Sequence, residues 1–363
     1  MPAFLKLPPK VLLHVAGYLT KQSDCLALAL TCRELQIVGE QELYSNVMLR
    51  LKHDVAADNR MEMLYRCLTS FEPRCEWVRS FSVTLLRPPT SKELEGLAAI
   101  MRMLPCLDSF KFEFPSTDSS NAKQIDLRCR LIDSMSPKSS LRRFIWLNAD
   151  TLDGQSLLSF LRFHRGLHHL EFNDYFEVPK IGIDILPNIE VLRAPIATVL
   201  RLLPGRQIRR VKTMINDKTS PKWMGMSCLD MEKITTFSST VSGGAGGVEM
   251  HESLIQQLGC LEFLEIQDET VITSMTLRFT NIKFLRLRKL RGPFSLLQFF
   301  SVVPTLECIE IQPNLRLPAG RVSVRWYRGE RRPRIVSWDC GRDEEWLHDW
   351  KMVVEHEYSA AHI

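Results

Sequence analysis

The chain lacks an apolar run long enough to cross a bilayer. Its 363 residues contain no stretch of about 18 apolar residues, the length that a transmembrane helix needs. The first 19 residues also lack the basic start, unbroken apolar core and cleavage site of a signal peptide, because Pro8, Pro9 and His14 interrupt them. We therefore expect neither a membrane-spanning helix nor a secretory leader.

Paired cysteines are also missing. The 10 cysteines are scattered, and the closest two are Cys25 and Cys32, so no CxxC pair of the zinc-ribbon or thioredoxin type occurs. Most occupy places where a small apolar residue would serve, as Cys106 and Cys308 do beside leucines. We expect reduced thiols and a location in the cytoplasm, the nucleus or both.

The common catalytic motifs are absent as well. There is no GxSxG, HExxH, Walker or dinucleotide-binding pattern. SGGAGG (242–247) lacks the GK[ST] that would hold phosphate and magnesium, which favours a flexible loop. HRGLHH (164–169) lacks an acidic ligand at metal-binding spacing. We expect no catalytic residues, no metal and no cofactor, and therefore a protein that is not an enzyme.

The composition is that of a folded protein with a mild positive charge. Hydrophobic residues make up 45% and charged residues 25% of the chain. Lys plus Arg (47) exceeds Asp plus Glu (42), which gives a net charge of +5. This excess permits an acidic partner but does not indicate nucleic acid, whose binding we do not expect.

A degenerate repeat fills most of the chain. Its pattern, apolar-x-x-apolar-x-apolar, alternates at the end with the two-residue period of a half-buried strand. Clear copies are VRSFSV from Val78, LDSFKF from Leu107, LRRFIW from Leu141, LHHLEF from Leu167, LEFLEI from Leu261, IKFLRL from Ile282 and LECIEI from Leu306. Weaker copies begin at Ile189, Ile208 and Ile234. These spacings are close to the 20 to 29 residues of leucine-rich repeats.

Helical stretches separate the hexads. They lie at 91–104, 154–164, 251–258 and 294–303, and an additional strand (47–52) and helix (59–68) precede the first hexad. A strand-plus-helix unit buries its apolar side only when stacked on its neighbours. The chain resembles the leucine-rich-repeat family, which implies an α/β solenoid with a parallel concave sheet and outer helices. The irregular spacing predicts uneven curvature.

The opening stretch, LPPKVLLHVAGYL (7–19), places many apolar side chains on a short helix near the terminus. Pro9 suits the first helical turn, and Ser23 suits the start of a second short helix. A third segment, RELQIVGEQELY, follows. Three short helices in about 45 residues enclose little core and need outside help to be stable.

These residues resemble an F-box. Leu7 and Pro8 match its opening, and Lys10 and Gln36 depart from its usual acidic residue and Trp. The resemblance implies docking to a Skp-type adaptor, which links to a cullin–RING ligase. The implied adaptor-binding residues are Leu7, Pro8, Val11, Leu12, Val15, Tyr18, Leu19, Leu26, Leu30, Cys32 and Leu35. The alternative is that the segment only caps the repeats.

The solenoid predicts which side chains face a substrate. The third and fifth hexad positions lie between the buried ones and point to the concave face. The candidate substrate-binding residues are Arg143, His169, Arg193, Arg210, Lys212, Phe263, Glu265, Phe284 and Arg286. The cations suit an acidic or phosphorylated segment, and the two phenylalanines suit an apolar anchor. The alternative is a solvated face whose charges maintain solubility.

The predicted organisation is an F-box (3–46), a leucine-rich-repeat array (47–340) and a C-terminal capping helix (341–363) with Trp346 and Trp350 on one side. The tail could instead bind a partner. This order resembles fungal F-box proteins with irregular repeats. It implies the substrate-recognition subunit of an SCF-type ubiquitin ligase, which selects a protein substrate for degradation. A repeat scaffold that acts outside a ligase remains the alternative.

Overall fold

The computed structural model describes residues 7–19, 21–52, 56–115, 122–135, 139–147, 154–172, 182–216, 228–242, 245–266, 281–288, 296–312, 316–317, 320–330 and 332–338. The chain divides into two compact units, Met1–Ile189 and Glu190–Ile363. Within these ranges no helix is long and apolar enough to span a membrane.

In its described residues, the first unit combines eight helices with a parallel sheet. The helices are α1 (Pro9–Ala16), α2 (Gln22–Ala29), α3 (Arg33–Ser45), α4 (Ala56–Ser70), α5 (Pro73–Trp77), α6 (Ser91–Arg102), α7 (Ala122–Asp133) and α8 (Gly154–Phe163). The strands are β1 (Asn46–Leu51), β2 (Ser80–Leu85), β3 (Ser109–Glu113), β4 (Arg143–Leu147) and β5 (His169–Phe172). Each strand pairs in parallel with the next along the chain.

The second unit begins in the same way and ends differently. Its helices are α9 (Ile196–Leu202), α10 (Cys228–Met231), α11 (Ala245–Gln256) and α12 (Leu296–Val302). Its strands are β6 (Val191–Arg193), β7 (Arg210–Asn216), β8 (Thr236–Ser242), β9 (Phe263–Ile266), β10 (Phe284–Arg288), β11 (Cys308–Gln312), β12 (Arg316–Leu317), β13 (Gly320–Tyr327) and β14 (Arg334–Trp338). Strands β6 to β11 are parallel, whereas β13 pairs antiparallel with β11, β12 and β14.

The hexads determine where the strands begin. In each of the ten hexads a strand begins at the third residue, from Ser80 in the first hexad to Cys308 in the last. The extra strand expected at 47–52 is β1 (Asn46–Leu51). The mostly parallel open sheet with helices is compatible with an α/β solenoid.

The first and fourth hexad positions form the core between sheet and helices. Leu107, Phe110 and Phe144 are buried. Phe110 stacks on Phe144 with ring centroids 6.0 Å apart, and Phe144 contacts Phe160 of α8 at 4.6 Å. The fourth position therefore faces the helices, and the third and fifth positions lie on the opposite face of each strand, because side chains alternate along a strand.

A recurring backbone contact aligns successive hexads within each unit. The carbonyl of Arg79 accepts from the N–H groups of Asp108 and Ser109, at 2.8 and 2.9 Å. The carbonyl of Asp108 does the same for Arg142 and Arg143. Equivalent paired contacts link later hexads in the second unit. This contact satisfies two backbone donors at each turn into a strand, where buried donors would otherwise be costly.

Two features differ from the sequence expectations. The expected loop at 242–247 is shorter, because β8 extends to Ser242 and α11 already begins at Ala245. The antiparallel segment β12–β14 occupies sequence that was assigned to parallel repeats. The predicted capping helix (341–363) lies outside the described residues and stays a prediction.

Candidate docking site

Helix α1 begins as the sequence predicts. Pro9 is at the first turn, where a missing N–H leaves no hydrogen bond unmade. The Pro8 carbonyl accepts from the N–H groups of Val11 and Leu12, at 2.9 and 3.2 Å, and the N–H of Gly17 donates to Leu13 at the other end. The result is a helix of two turns, with Leu12 and Ala16 on the side that faces the core and the other side facing solvent.

The three amino-terminal helices share a small core. Leu12, Ala16, Leu35 and Val38 are buried together, with Leu13, Leu28 and Cys32 packed against them. Gly39 permits α2 and α3 to approach closely, since a Cβ at this position would lie only 2.6 Å from the backbone nitrogen of Ala29. The core is small, as expected from a segment of this length.

Large apolar side chains on the same helices face solvent. Tyr18 and Leu30 are 73% and 77% exposed. The others of this kind are Leu7, Val11, Val15, Leu26 and Ile37. An exposed apolar surface of this extent on such short helices is typical of a protein–protein interface.

Part of this surface forms a groove. It has a volume of about 470 Å³ and is lined by α2, α3 and Arg74 of α5. Leu26, Leu30 and Cys32, all predicted adaptor-binding residues, lie in its lining, together with Leu43 and Tyr44, which were not among the predicted adaptor-binding residues. An apolar floor with a polar rim suits a protein side chain or helix.

Arg74 anchors α3 to the start of the repeats. It donates to Glu40 at 2.8 Å and to the carbonyl of Cys67 at 3.1 Å, and it lies over the ring of Tyr44. Burial would raise the pKa of the Glu40 carboxyl, but hydrogen bonds from Gln36 and Arg74 outweigh burial and lower it. The groove therefore has a fixed charged rim.

The family comparison covers this segment. Residues 4–50 match the F-box-like family. The match supports an F-box protein. F-box domains typically bind Skp-type adaptors, and F-box proteins are typically non-catalytic subunits of SCF ubiquitin ligases. No curated protein matches the chain significantly.

The structure divides the predicted adaptor-binding residues. Leu7, Pro8, Val11, Val15, Tyr18, Leu26 and Leu30 are exposed, and Leu19 and Cys32 are half-buried. The expectation that Leu12 and Leu35 are available to a partner is wrong, because they are only 5% and 8% exposed and form the helix core. Ile37 was missed, although its place on α3, away from Leu35 and Val38, could have identified it.

The two predicted substrate-binding residues of the first unit, Arg143 and His169, lie on the expected face, but they differ in how far solvent reaches them. Arg143 on β4 is half-buried, whereas His169 on β5 is buried and its Nε2 lies 2.5 Å from Glu171 Oε1. His169 is therefore engaged within its own strand.

The predicted residues of the second unit fall into two groups. Arg193, Arg210 and Lys212 are half-buried on the neighbouring strands β6 and β7, with Arg193 opposite Lys212. The expectation of an open face is wrong for the other four, because parallel sheets are commonly covered on both faces. Phe263, Glu265, Phe284 and Arg286 are almost fully buried.

The buried residues include a row of alternating charges across four strands. Arg286 lies 3.0 Å from Glu310 and 3.7 Å from Glu265, and Arg325 of β13 donates to Glu310 at 2.9 Å. Ser238 donates to Glu265 at 3.0 Å. Burial lowers the pKa of the Arg286 guanidinium, and the two carboxylates oppose that shift. We refer to Glu265, Arg286, Glu310 and Arg325 as the buried charge row.

The described residues offer little for catalysis. Ser239 Oγ lies 2.6 Å from His251 Nε2, but both residues are fully buried, so a substrate has no access to this hydroxyl. Among the residues with described positions, no cluster of three His, Cys, Asp or Glu side chains could hold a metal ion. The exposed apolar surface of α1–α3 is therefore the candidate site with the clearest chemistry.

Proposed function

We propose that the protein is the substrate-recognition subunit of an SCF-type E3 ubiquitin ligase. The observation that carries the proposal is the set of exposed apolar side chains on α1–α3, within the F-box-like match. Binding a Skp-type adaptor would remove this surface from water. The adaptor would link the protein to a cullin–RING ligase.

The repeats would supply the substrate-binding part. Leucine-rich repeats present an extended face to which a protein segment can bind. The subunit would be non-catalytic and would act by holding a substrate lysine near the loaded ubiquitin, which raises its effective concentration. Such a ligase would work in the cytoplasm, the nucleus or both.

Size-exclusion chromatography after co-expression with a Skp-type adaptor tests the proposal. We expect the wild type to co-elute with the adaptor in a one-to-one complex. Val15→Gln with Leu30→Gln should lose the complex but keep the fold, because both side chains are exposed. Leu7→Ala with Pro8→Ala should weaken the complex for the same reason.

Phe163→Gln is the matched control. Phe163 is 70% exposed on α8, outside the F-box-like segment, so its replacement should leave the complex intact. A wild type that is soluble and never binds the adaptor would contradict the proposal. The protein would then be a repeat scaffold that acts outside a ligase.

A further inference from the structure

On the face of β1–β4 opposite the helices, short hydroxyl side chains on β2 lie between longer side chains on the neighbouring strands. Strand β2 contributes only Ser80, Ser82 and Thr84 to this face, and β3 begins with Ser109. We call these four residues the hydroxyl floor. None of their hydroxyl groups takes part in a hydrogen bond within the described residues. All four are half-buried, so their hydroxyls can be reached from solvent.

Longer side chains form walls along this floor. Met48 lies opposite Ser82 on one side and Lys111 lies opposite it on the other. At the end of the floor, Ser80 and Ser109 lie next to each other between Asn46 and Arg143. Since neighbouring strands are about 4.8 Å apart, the walls on β1 and β3 are about 10 Å apart. This width accepts one extended polypeptide.

Arg143 is the charged group at the wider end. It makes no ion pair or hydrogen bond to any residue that the structure describes, and its Nε is shielded from solvent. The other nearby cation, Lys111, already lies 3.7 Å from Glu113 on the same face. One uncompensated positive charge therefore lies beside two neutral hydroxyls.

We propose that this trough binds an extended acidic segment of the substrate, with an Asp or Glu carboxylate on Arg143. The inference rests on the proposed function and names its substrate chemistry. An arginine offers paired donors to a carboxylate, and Ser80 and Ser109 donate to its remaining lone pairs. The exposed Arg50 of β1 lies beside Thr84, at the far end of the floor from Ser80 and Ser109, so Arg143 is the only one of these two arginines next to both hydroxyls and matches a singly charged carboxylate.

Fluorescence anisotropy with a labelled Asp/Glu-rich peptide tests the trough on the full chain, both alone and with a Skp-type adaptor. A peptide with Asn and Gln in place of the acids should bind about tenfold more weakly, as should the acidic peptide on Arg143→Gln. Affinity should also fall as salt rises from about 50 to about 300 mM. Ser82→Trp should block binding by filling the floor while adaptor co-elution persists.

Two matched controls isolate Arg143. Arg142→Gln changes an adjacent, exposed arginine that lies outside the trough, and this variant should bind the peptide normally. Arg210→Gln removes a cation of the second unit and should also leave peptide binding unchanged. Equal losses for Arg142→Gln or Arg210→Gln would overturn the assignment. Stronger binding of a phosphoserine peptide than of the Asp/Glu peptide would overturn the preference for a carboxylate. Loss of adaptor binding concerns the proposed function alone.

Discussion

Gly39 shows how one missing side chain determines the arrangement of the amino-terminal helices. The backbone of α2 at Ala29 occupies the space where a Cβ of residue 39 would lie. The sequence shows a glycine within a helical pattern but does not show which backbone approaches it. The structure places Gly39 at a close approach of α2 and α3.

We expect Gly39→Ala to destabilise the protein by about 1–3 kcal/mol, because the helices must separate to admit the methyl group. The same change should weaken adaptor binding by displacing α2. Urea unfolding and co-elution with a Skp-type adaptor measure the two effects. Gly17→Ala is the control, since its Cβ would be 3.4 Å from the nearest atom. Equal stability of the two variants would contradict this explanation.

His164 is a second residue whose environment the sequence did not reveal. It follows α8, is 4% exposed and lies against the ring of Phe160 at 4.4 Å. Burial lowers the pKa of His164 to about 4. In the unfolded chain its pKa is near 6.5.

This difference predicts a pH-dependent stability. The unfolded state binds a proton more readily, so stability is full above about pH 6.5 and is lost as pH falls toward 4, by about 3 kcal/mol in total. His164→Leu should reduce the difference between urea midpoints at about pH 5 and about pH 7.5, whereas His14→Gln, at an exposed position, should not. An unchanged difference in the His164→Leu variant would exclude His164 as the cause.

At the scale of elements, the antiparallel strand β13 raises a question of register. Its apolar residues Val324 and Trp326 face Ile311 and Ile309 of β11. A shift by two residues would still place Val322 and Val324 against these isoleucines, so the apolar pattern does not select one register. Arg325 selects the observed register, because a shift would separate its guanidinium from the Glu310 carboxylate.

We predict that the buried charge row specifies this register. In Tyr327→Cys, the new cysteine lies opposite native Cys308 and should form a disulfide on mild oxidation. Adding Glu310→Gln with Arg325→Gln should reduce the yield of that disulfide, because the buried ion pair that favours one register is then lost. Peptide mapping by mass spectrometry identifies the pair.

The control for this experiment is a half-buried ion pair in the same region. Glu330→Gln with Arg334→Gln, in the Tyr327→Cys background, removes such a pair and should leave the crosslink yield unchanged. An equal yield in all three backgrounds would mean that the apolar contacts alone determine the register.

The elements also show what the sequence can and cannot predict. The hexads located the ten strands because a two-residue alternation identifies a strand with a buried side. They did not show that the other side of β9 and β10 is also buried, since this depends on residues distant in sequence. For the same reason Phe263 and Arg286 were expected to be accessible. The direction of β13 was missed because alternation is the same in parallel and antiparallel strands.

At the scale of the whole molecule, the F-box-like segment was the most predictable part. Its exposed apolar positions follow from a helical pattern on helices too short to bury them. It was less predictable that Leu12 and Leu35 are buried whereas Val15 and Leu30 are exposed. The side of each helix that faces the core depends on how the three helices cross. The hydroxyl floor was not predicted as a site, since it becomes visible only when neighbouring strands are aligned.

The paired backbone contact between successive hexads of a unit has a consequence for how this chain can change in evolution. One carbonyl receives two N–H groups of the next hexad whatever the length of the chain between them. That length varies from 19 residues, between Ile189 and Ile208, to 34, between Leu107 and Leu141. We therefore expect insertions and deletions between hexads to be tolerated, because each contact restores the alignment. A single-residue deletion within a hexad should instead disrupt the repeats that stack on it.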